Sequence, residues 1–563
     1  MPPANEAPNL IGGSHPTRLS PSQLIPQTRE VARTGSIQRN EENATTDSED
    51  GLHFNQFQLA VVTLALCICA LMVSIDVIIV ATAIPKIAAE FESLGDVGWY
   101  GSSYLLTQTA LQPSFGKLYS HFSMKWTFLS GIFIFELGSV ICATAISSIL
   151  LIVGRAIAGI GAAALFSGGL NIVAETVPLR KRAPYIALLS SMMAVSNIIG
   201  PPLGGIITNR LGWRWCFWVN LPCGGAAFVV GLIFLKEMAP PSAGLSITNR
   251  LVELDLLGAV LLLGGITSFV LAIEWAGKVY PWSDARVWGC IVAASLVLAI
   301  FCVLQWHLGD KATLPPRLLF KQRTIFSASF FSCFLAMGFY IHVFYLPIYF
   351  QAVKGSSPEK SGFDVVPYQA SNAGTSLIVG LLVGMVGWYV PFVWFGALAF
   401  AIGSSLLYTV GPNSYTATLI VYQFITGVGM GASVQIPYIA AQVVSNRDDI
   451  SSADAIMIFF HSIGGTLSLA IGGNVFTGSL QRILPVEAPL VNSTVVINVG
   501  PTNLRIAVPP DQLGRVLKAY TTSLTTTFIS PIVTSSVAIL CSLLLEQRSV
   551  KGTNLLTGTS STN

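Results

Sequence analysis

Charge is what this sequence has least of. Only 10% of its 563 residues are Asp, Glu, Lys or Arg, against roughly 25% in soluble domains, which excludes a water-soluble globular fold. No G-x-x-x-x-G-K-S/T loop is present to cradle a nucleotide. None of the six histidines opens an H-x-x-x-x-D pair, and no His/Cys group has metal-ligand spacing, so neither an enzyme nor a cofactor is expected. The nine cysteines lie in or beside apolar runs without disulfide spacing and read as small packing residues. The first 50 residues lack the apolar stretch of a secretory signal. Their Ser, Thr, Pro, Asn and Glu content reads as a disordered tail over 1–51. The net charge of +3, with no basic run longer than Arg180-Lys181-Arg182, excludes a nucleic-acid partner.

What the chain does have is apolar runs of about 20 residues, the length that crosses a ~30 Å hydrocarbon core. Fourteen such spans are read, giving an all-α integral membrane protein. The sequence LIVGRAIAGIG at Leu151 to Gly161 returns as LIVYQFITGVG at Leu419 to Gly429, and the same shift carries Gly204-Gly205 onto Gly472-Gly473. These matches fall in the fourth and fifth helices of the first six and of the last six. They predict a six-helix bundle at 52–237, a two-helix insert at 238–310, a second bundle at 311–547 with a long non-cytoplasmic loop near 477–523, and a tail at 548–563. Parallel repeats of membrane helices commonly hold a substrate between the halves, so the duplication points to transport rather than chemistry.

Positive charge marks cytoplasmic flanks. With the N-terminus inside, 18 Lys and Arg residues fall inside and 11 outside, with Arg155 left within the membrane. Both termini are therefore expected in the cytoplasm. Asn492-Ser493-Thr494 would then be a glycosylation acceptor on the far side, whereas Asn43-Ala44-Thr45 would not be modified.

The segment SNIIGPPLGGIIT resembles the antiporter pattern G-x-x-x-G-P-x-x-G-G, with Gly200, Pro201, Gly204 and Gly205 matching and Ser196 at the first glycine. SIDVIIVATAIP, WRWCFWVNLP and YLPIYFQAVKG add to it. Over Leu52 to Leu545 the chain resembles the major facilitator superfamily, specifically its fourteen-span drug:proton antiporter branch as found in fungal toxin and multidrug exporters. The loop GKLYSHFSMK departs from the family's G-x-L-x-D-R-x-G-R-K: Ser120, His121, Ser123 and Met124 replace its acid, arginine, glycine and second arginine. The family's charged latch at that loop is then weaker here or made by other residues.

The resemblance implies coupling roles for Arg155, matching the arginine of R-x-x-Q-G-x-G with Ala158 at the glutamine position, and for Asp76 in the first span. A guanidinium at mid-membrane costs at least ~2.5 kcal/mol and seeks a carboxylate or polar cavity. An acid and a base in one cavity form either a proton relay, since burial and charge pull a carboxyl's affinity for protons in opposite directions, or a static ion pair. Glu136 is a second candidate acid. Gln423 occupies Arg155's place in the second half, so coupling is expected mainly in the first. Gln108, Asn171, Gln423, Gln435 and His461, with His342 and Asn197, are polar residues that line the path or bond helix to helix. Gly200, Pro201, Gly204 and Gly205 allow close helix approach and a bend. The expected function is proton-coupled export of a small amphipathic compound such as a secondary metabolite, toxin or drug, by a monomer in the cell or vacuolar membrane. Proton-coupled import of a nutrient or siderophore, and a transceptor, share these features.

Overall fold

A computed structural model describes residues 55–550 apart from 178–181, 238–253, 278, 310–311, 313 and 446–448. The N-terminal tail, Arg180, Lys181, Arg250, Lys311, Arg447 and the tail beyond 550 lie outside the described residues. Inside hydrocarbon each backbone N–H and C=O needs a partner within the chain. The described residues accordingly form helices with no β-strand, apart from two isolated bridges.

Among the described residues, fourteen helices are long enough to cross a bilayer. They are α1 (Gln56–Glu90), α2 (Val97–His121), α3 (Met124–Ala143), α4 (Ser148–Thr176), α5 (Arg182–Arg210) and α6 (Trp215–Phe234). Then come α7 (Leu256–Trp275), α8 (Ala285–Leu308), α9 (Arg323–Ala352) and α10 (Pro358–Val386), followed by α11 (Val390–Tyr408), α12 (Thr416–Val444), α13 (Ile450–Glu487) and α14 (Pro510–Ser542). Thirteen of them are both long and apolar enough to cross a membrane. The expected count of fourteen is met only by including α2, whose 25 residues are too polar for that criterion. The physical reason is shielding. Ser102, Ser103, Thr107, Thr109 and Ser114 of α2 are buried, and the helix packs against α4, α7 and α13. It therefore has little need of a lipid-compatible surface.

Neighbour pairs recur with a shift of eight helices. α1 packs on α5 as α9 packs on α13, α2 on α4 as α10 on α12, and α3 on α4 as α11 on α12. α6 packs on α1 and α3 as α14 packs on α9 and α11. Contacts between the two sets follow the same rule with the sets exchanged, since α5 meets α10 and α13 meets α2. The extra pair α7–α8 joins α2 and α13 through an apolar cluster that includes Leu106, Leu262, Ile266, Phe301 and Phe459.

One end of the helix array is closed. There Arg210 pairs with Glu359 at 3.0 Å and Gln351 Nε2 donates to the Thr82 carbonyl at 3.0 Å, both between the two sets, while Arg214 pairs with Glu90 at 2.6 Å within the first. The stretch 477–523, expected as a loop, is largely helical. α13 runs on to Glu487, a cap helix kinked at Gly500 covers Ser493–Ala507, and α14 begins at Pro510. The cap helix rests on α1 through Gly500, whose φ of 72° and proximity to Ala89 both favour glycine. Arg505 ties it to the Val353 carbonyl at 3.1 Å. Its burial of Val496 and Leu504 explains why the segment orders: each apolar side chain withdrawn from water contributes roughly 1.5–3 kcal/mol. Asn492 lies exposed just before this helix.

Candidate functional site

The site is built from five helices of the first set, α1 to α4 and α6. Asp76 on α1 and Arg155 on α4 form an ion pair through Arg155 Nη1 and Asp76 Oδ2, with both side chains 1% exposed. A charge pair withdrawn from water survives only if its remaining hydrogen-bonding capacity is met, and most of it is. Arg155 Nε donates to the Tyr100 carbonyl at 3.0 Å, and the guanidinium lies 4.4 Å from the centre of the Tyr104 ring, a cation–π placement. Asn220 Nδ2 on α6 donates to Asp76 Oδ1 at 3.0 Å and approaches Ser139 Oγ on α3 at 3.2 Å. Arg155 Nη2 is buried with no hydrogen-bond partner among the described residues. The pair thus retains one donor nitrogen without a partner.

Asp76 and Arg155, read from sequence as an acid and a base in one cavity, are in contact. Asn220 was not anticipated. Its signal was available, since it is the lone amide in the apolar run WCFWVNLPCGG. A half-satisfied carboxylate in the first span calls for a donor from some neighbour, but the sequence does not say which helix supplies it. Glu136 on α3 is close to the same site. Both of its carboxyl oxygens are buried without a hydrogen-bond partner, and the carboxyl presses on Gly224 of α6, where any Cβ would collide with it. The arrangement holds one carboxylate committed to a guanidinium and a second carboxyl without a hydrogen bond. That chemistry suits a proton that is taken up and released.

The antiporter-like glycines are packing surfaces on two sides of α5. Gly200 faces Ile78, and a Cβ on Gly204 would meet Thr82 Oγ1 at 2.5 Å and the Ile79 carbonyl at 2.6 Å, all on α1. Gly205 faces the Pro358 carbonyl on α10, and the Pro201 carbonyl in turn lies against Gly362. α5 continues through Pro201 and Pro202.

The remaining candidates do not gather at the charge pair. Gln423 Nε2 donates to the Asp364 carbonyl at 3.0 Å, with its Oε1 buried and unpartnered. Asn171 bonds within its own helix to the Ser167 carbonyl at 2.8 Å. Gln435 is exposed at the break in α12. His461 is half-buried with its ring 6.2 Å from that of Tyr340, and Gln108 is nearly buried on α2.

A shielded polar helix, an intramembrane charge pair and a helix-packing pattern that recurs eight helices on define a multi-pass membrane carrier. The chain belongs to the Major Facilitator Superfamily, whose model matches residues 66–469. It is 40% identical over 510 residues to an MFS-type efflux pump of Arthroderma benhamiae, covering 90% of this chain and 94% of that protein. It is 38% identical to the efflux pump roqT of Penicillium rubens, over 88% of this chain and 92% of that one. It is 37% identical to the aspyridones efflux protein of Neocamarosporium betae, over 93% and 92%. Among solved structures, a bacterial homologue of the human lysosomal transporter Spinster, inward-facing and unoccupied, has a TM-score of 0.61 at 15% identity, covering 88% of this chain and 98% of that one. That likeness is one of fold.

Proposed function

We propose that the chain exports a small amphipathic organic compound, such as a secondary metabolite or toxin, in exchange for protons. The relatives at 37–40% identity that are named as efflux proteins support the direction of transport. The observation that carries the coupling is the buried Asp76–Arg155 pair with Asn220 on its free oxygen. In this reading a proton arriving at Asp76 releases Arg155, whose unpartnered Nη2 and hold on the Tyr100 carbonyl leave it alternative bonds on α2. Glu136 is the neighbouring acid through which the proton passes. The halves at 52–237 and 311–547 rock about the chamber between them, and α7–α8 travel with the seam between α2 and α13.

The same reading puts both termini in the cytoplasm, as the basic residues favour, so that the closed end faces outward and Asn492 is open to glycosylation. The protein acts as a monomer in the cell membrane and catalyses no covalent chemistry. The test is flux of a panel of fungal metabolites in inside-out vesicles with and without a proton gradient, for wild type, Asp76→Asn and Arg155→Ala. Export predicts gradient-dependent uptake into such vesicles that both variants lose. Normal flux in both variants would remove the relay, and loss of accumulated compound from the vesicles would favour import.

A further inference from the structure

A second buried polar group lies in the other set of helices. His342 on α9 is fully buried, and neither ring nitrogen has a hydrogen-bond partner among the described residues. Its ring is held between Tyr368, Phe400 and Phe528, at centroid distances of 5.8, 5.7 and 5.8 Å. It lines a cavity on the seam between α1, α5, α9 and α10, with Thr82, Pro201, Val365, Tyr368 and Gln369. Tyr368 and Gln369 are each 1% exposed, and the Tyr368 hydroxyl and Gln369 Oε1 are likewise buried without a partner. None of the eleven lining residues is Asp, Glu, Lys or Arg.

Four polar atoms left without partners in one wall are costly unless something comes to meet them. In this conformation the space is no larger than a water, and one buried water makes about three hydrogen bonds. The cavity lies, however, on the seam where Gly205 meets Pro358 and Gly362 meets Pro201. An exporter of alternating access must part that seam. A neutral imidazole offers one donor and one acceptor, a phenol offers both, and a glutamine oxygen accepts. Of the aromatic rings around His342 only Tyr368 lines the cavity, and its face suits a flat partner. Resting on the export reading above, we infer that His342, Tyr368 and Gln369 form the subsite that takes the hydrogen-bonding ring of the substrate, and that this ring is uncharged and flat and carries a hydroxyl or ring carbonyl. Recognition then belongs to α9 and α10, away from the charge pair on α1 and α4.

The test is equilibrium binding to the purified full-length protein, using 7-hydroxycoumarin as probe, its parent coumarin without the hydroxyl, and the cation tetraphenylphosphonium. Wild type should bind 7-hydroxycoumarin saturably and coumarin roughly tenfold more weakly, because a site built for a hydroxyl discriminates against its absence. His342→Phe and Gln369→Leu should each weaken 7-hydroxycoumarin about tenfold, close to the loss of one hydrogen bond that leaves its partner buried. Neither should change coumarin or tetraphenylphosphonium binding. Tyr368→Phe keeps the ring, guards against a folding defect, and should show the same selectivity with a smaller loss. Absence of saturable binding by wild type, equal affinity for the two coumarins, or variants that lose all three ligands alike would each overturn the subsite. If 7-hydroxycoumarin binds in the expected pattern but is not exported under a proton gradient, the efflux reading falls and the subsite stands.

Discussion

Helices α4 and α12 share one backbone design and differ in their chemistry. Gly159 of α4 faces the Tyr104 carbonyl and Thr107, and Gly427 of α12 faces the Tyr368 carbonyl and Ser371. Gly161 abuts the backbone nitrogen of Phe135, and Gly429 that of Phe400. One turn earlier, Arg155 Nε and Gln423 Nε2 each donate to a backbone carbonyl of the neighbouring helix at 3.0 Å. The difference is that Arg155 also holds an acid, whereas Gln423 leaves an oxygen buried and unpartnered. The fifth helices of each set repeat the lesson. Gly204 lies against α1 and Gly205 against α10, while Gly472 lies against Tyr345 of α9 and Gly473 against Gly98 of α2. Glycine spacing, which lets membrane helices approach closely, has been kept in both halves, and among the described residues the fully buried ion pair stands in one.

Removing Arg155 should break this asymmetry with the largest effect. Arg155→Ala leaves Asp76 as an uncompensated buried charge, a loss of about 3–5 kcal/mol in comparable cases, and should abolish gradient-driven flux. The double variant Asp76→Asn/Arg155→Gln removes the charge pair and gives α4 the glutamine that α12 carries at Gln423. It should recover most of the melting temperature in detergent without recovering coupled transport. A double variant that transports normally would show that the charge pair is structural only.

The glycine code is tested next. Gly161→Val and Gly429→Val each drive side-chain atoms into the backbone of the neighbouring helix. Misplaced bulk in a packed interior costs typically 1–3 kcal/mol, so both should lower the melting temperature by similar amounts. A large loss at Gly161 with none at Gly429 would mean that the second half does not depend on the same close approach. On the α5 seam, Gly205→Ala must push α10 away at the Pro358 carbonyl. Its expected outcome is greater thiol-reagent labelling of a Thr82→Cys reporter from the closed end, with modest loss of stability.

Gln423 should matter less. Gln423→Leu forfeits one neutral hydrogen bond to the Asp364 carbonyl, worth roughly 0.5–1.5 kcal/mol, and also removes an unsatisfied buried oxygen. The melting temperature should move little and flux should persist. Loss of flux comparable to that of Arg155→Ala would overturn the division of labour between the halves.

Much of this was legible in advance, for identifiable reasons. The spans follow from apolar run length, and the repeat from glycines whose close contacts tolerate few substitutes. Asp76 and Arg155 stood out because each is expensive in hydrocarbon unless paired. Asn220 escaped because an amide is cheap enough to pass as a helix–helix bond, and its partner depends on how α6 is rotated against α1. The order in 477–523 escaped because the kinked cap helix draws its apolar burial from helices remote in sequence, here Ala89 of α1. The polarity of α2 reads as a weak span until α4, α7 and α13 are seen to surround it.

The smallest expected effect concerns the ion pair at the closed end. Arg210 is 67% exposed and Glu359 27%, and such surface pairs contribute little to stability and weaken with salt. Glu359→Gln should leave the melting temperature nearly unchanged, because Gly205 and Gly362 hold α5 against α10 by backbone approach. If the pair biases the closed state at all, the variant should raise Thr82→Cys labelling slightly in low salt, and the difference should vanish in high salt. A strong, salt-independent gain in labelling would mean that charge, and not glycine packing, closes this seam. The α5–α10 seam would then be latched by charge, unlike the α2–α13 seam, where Gly473 meets Gly98.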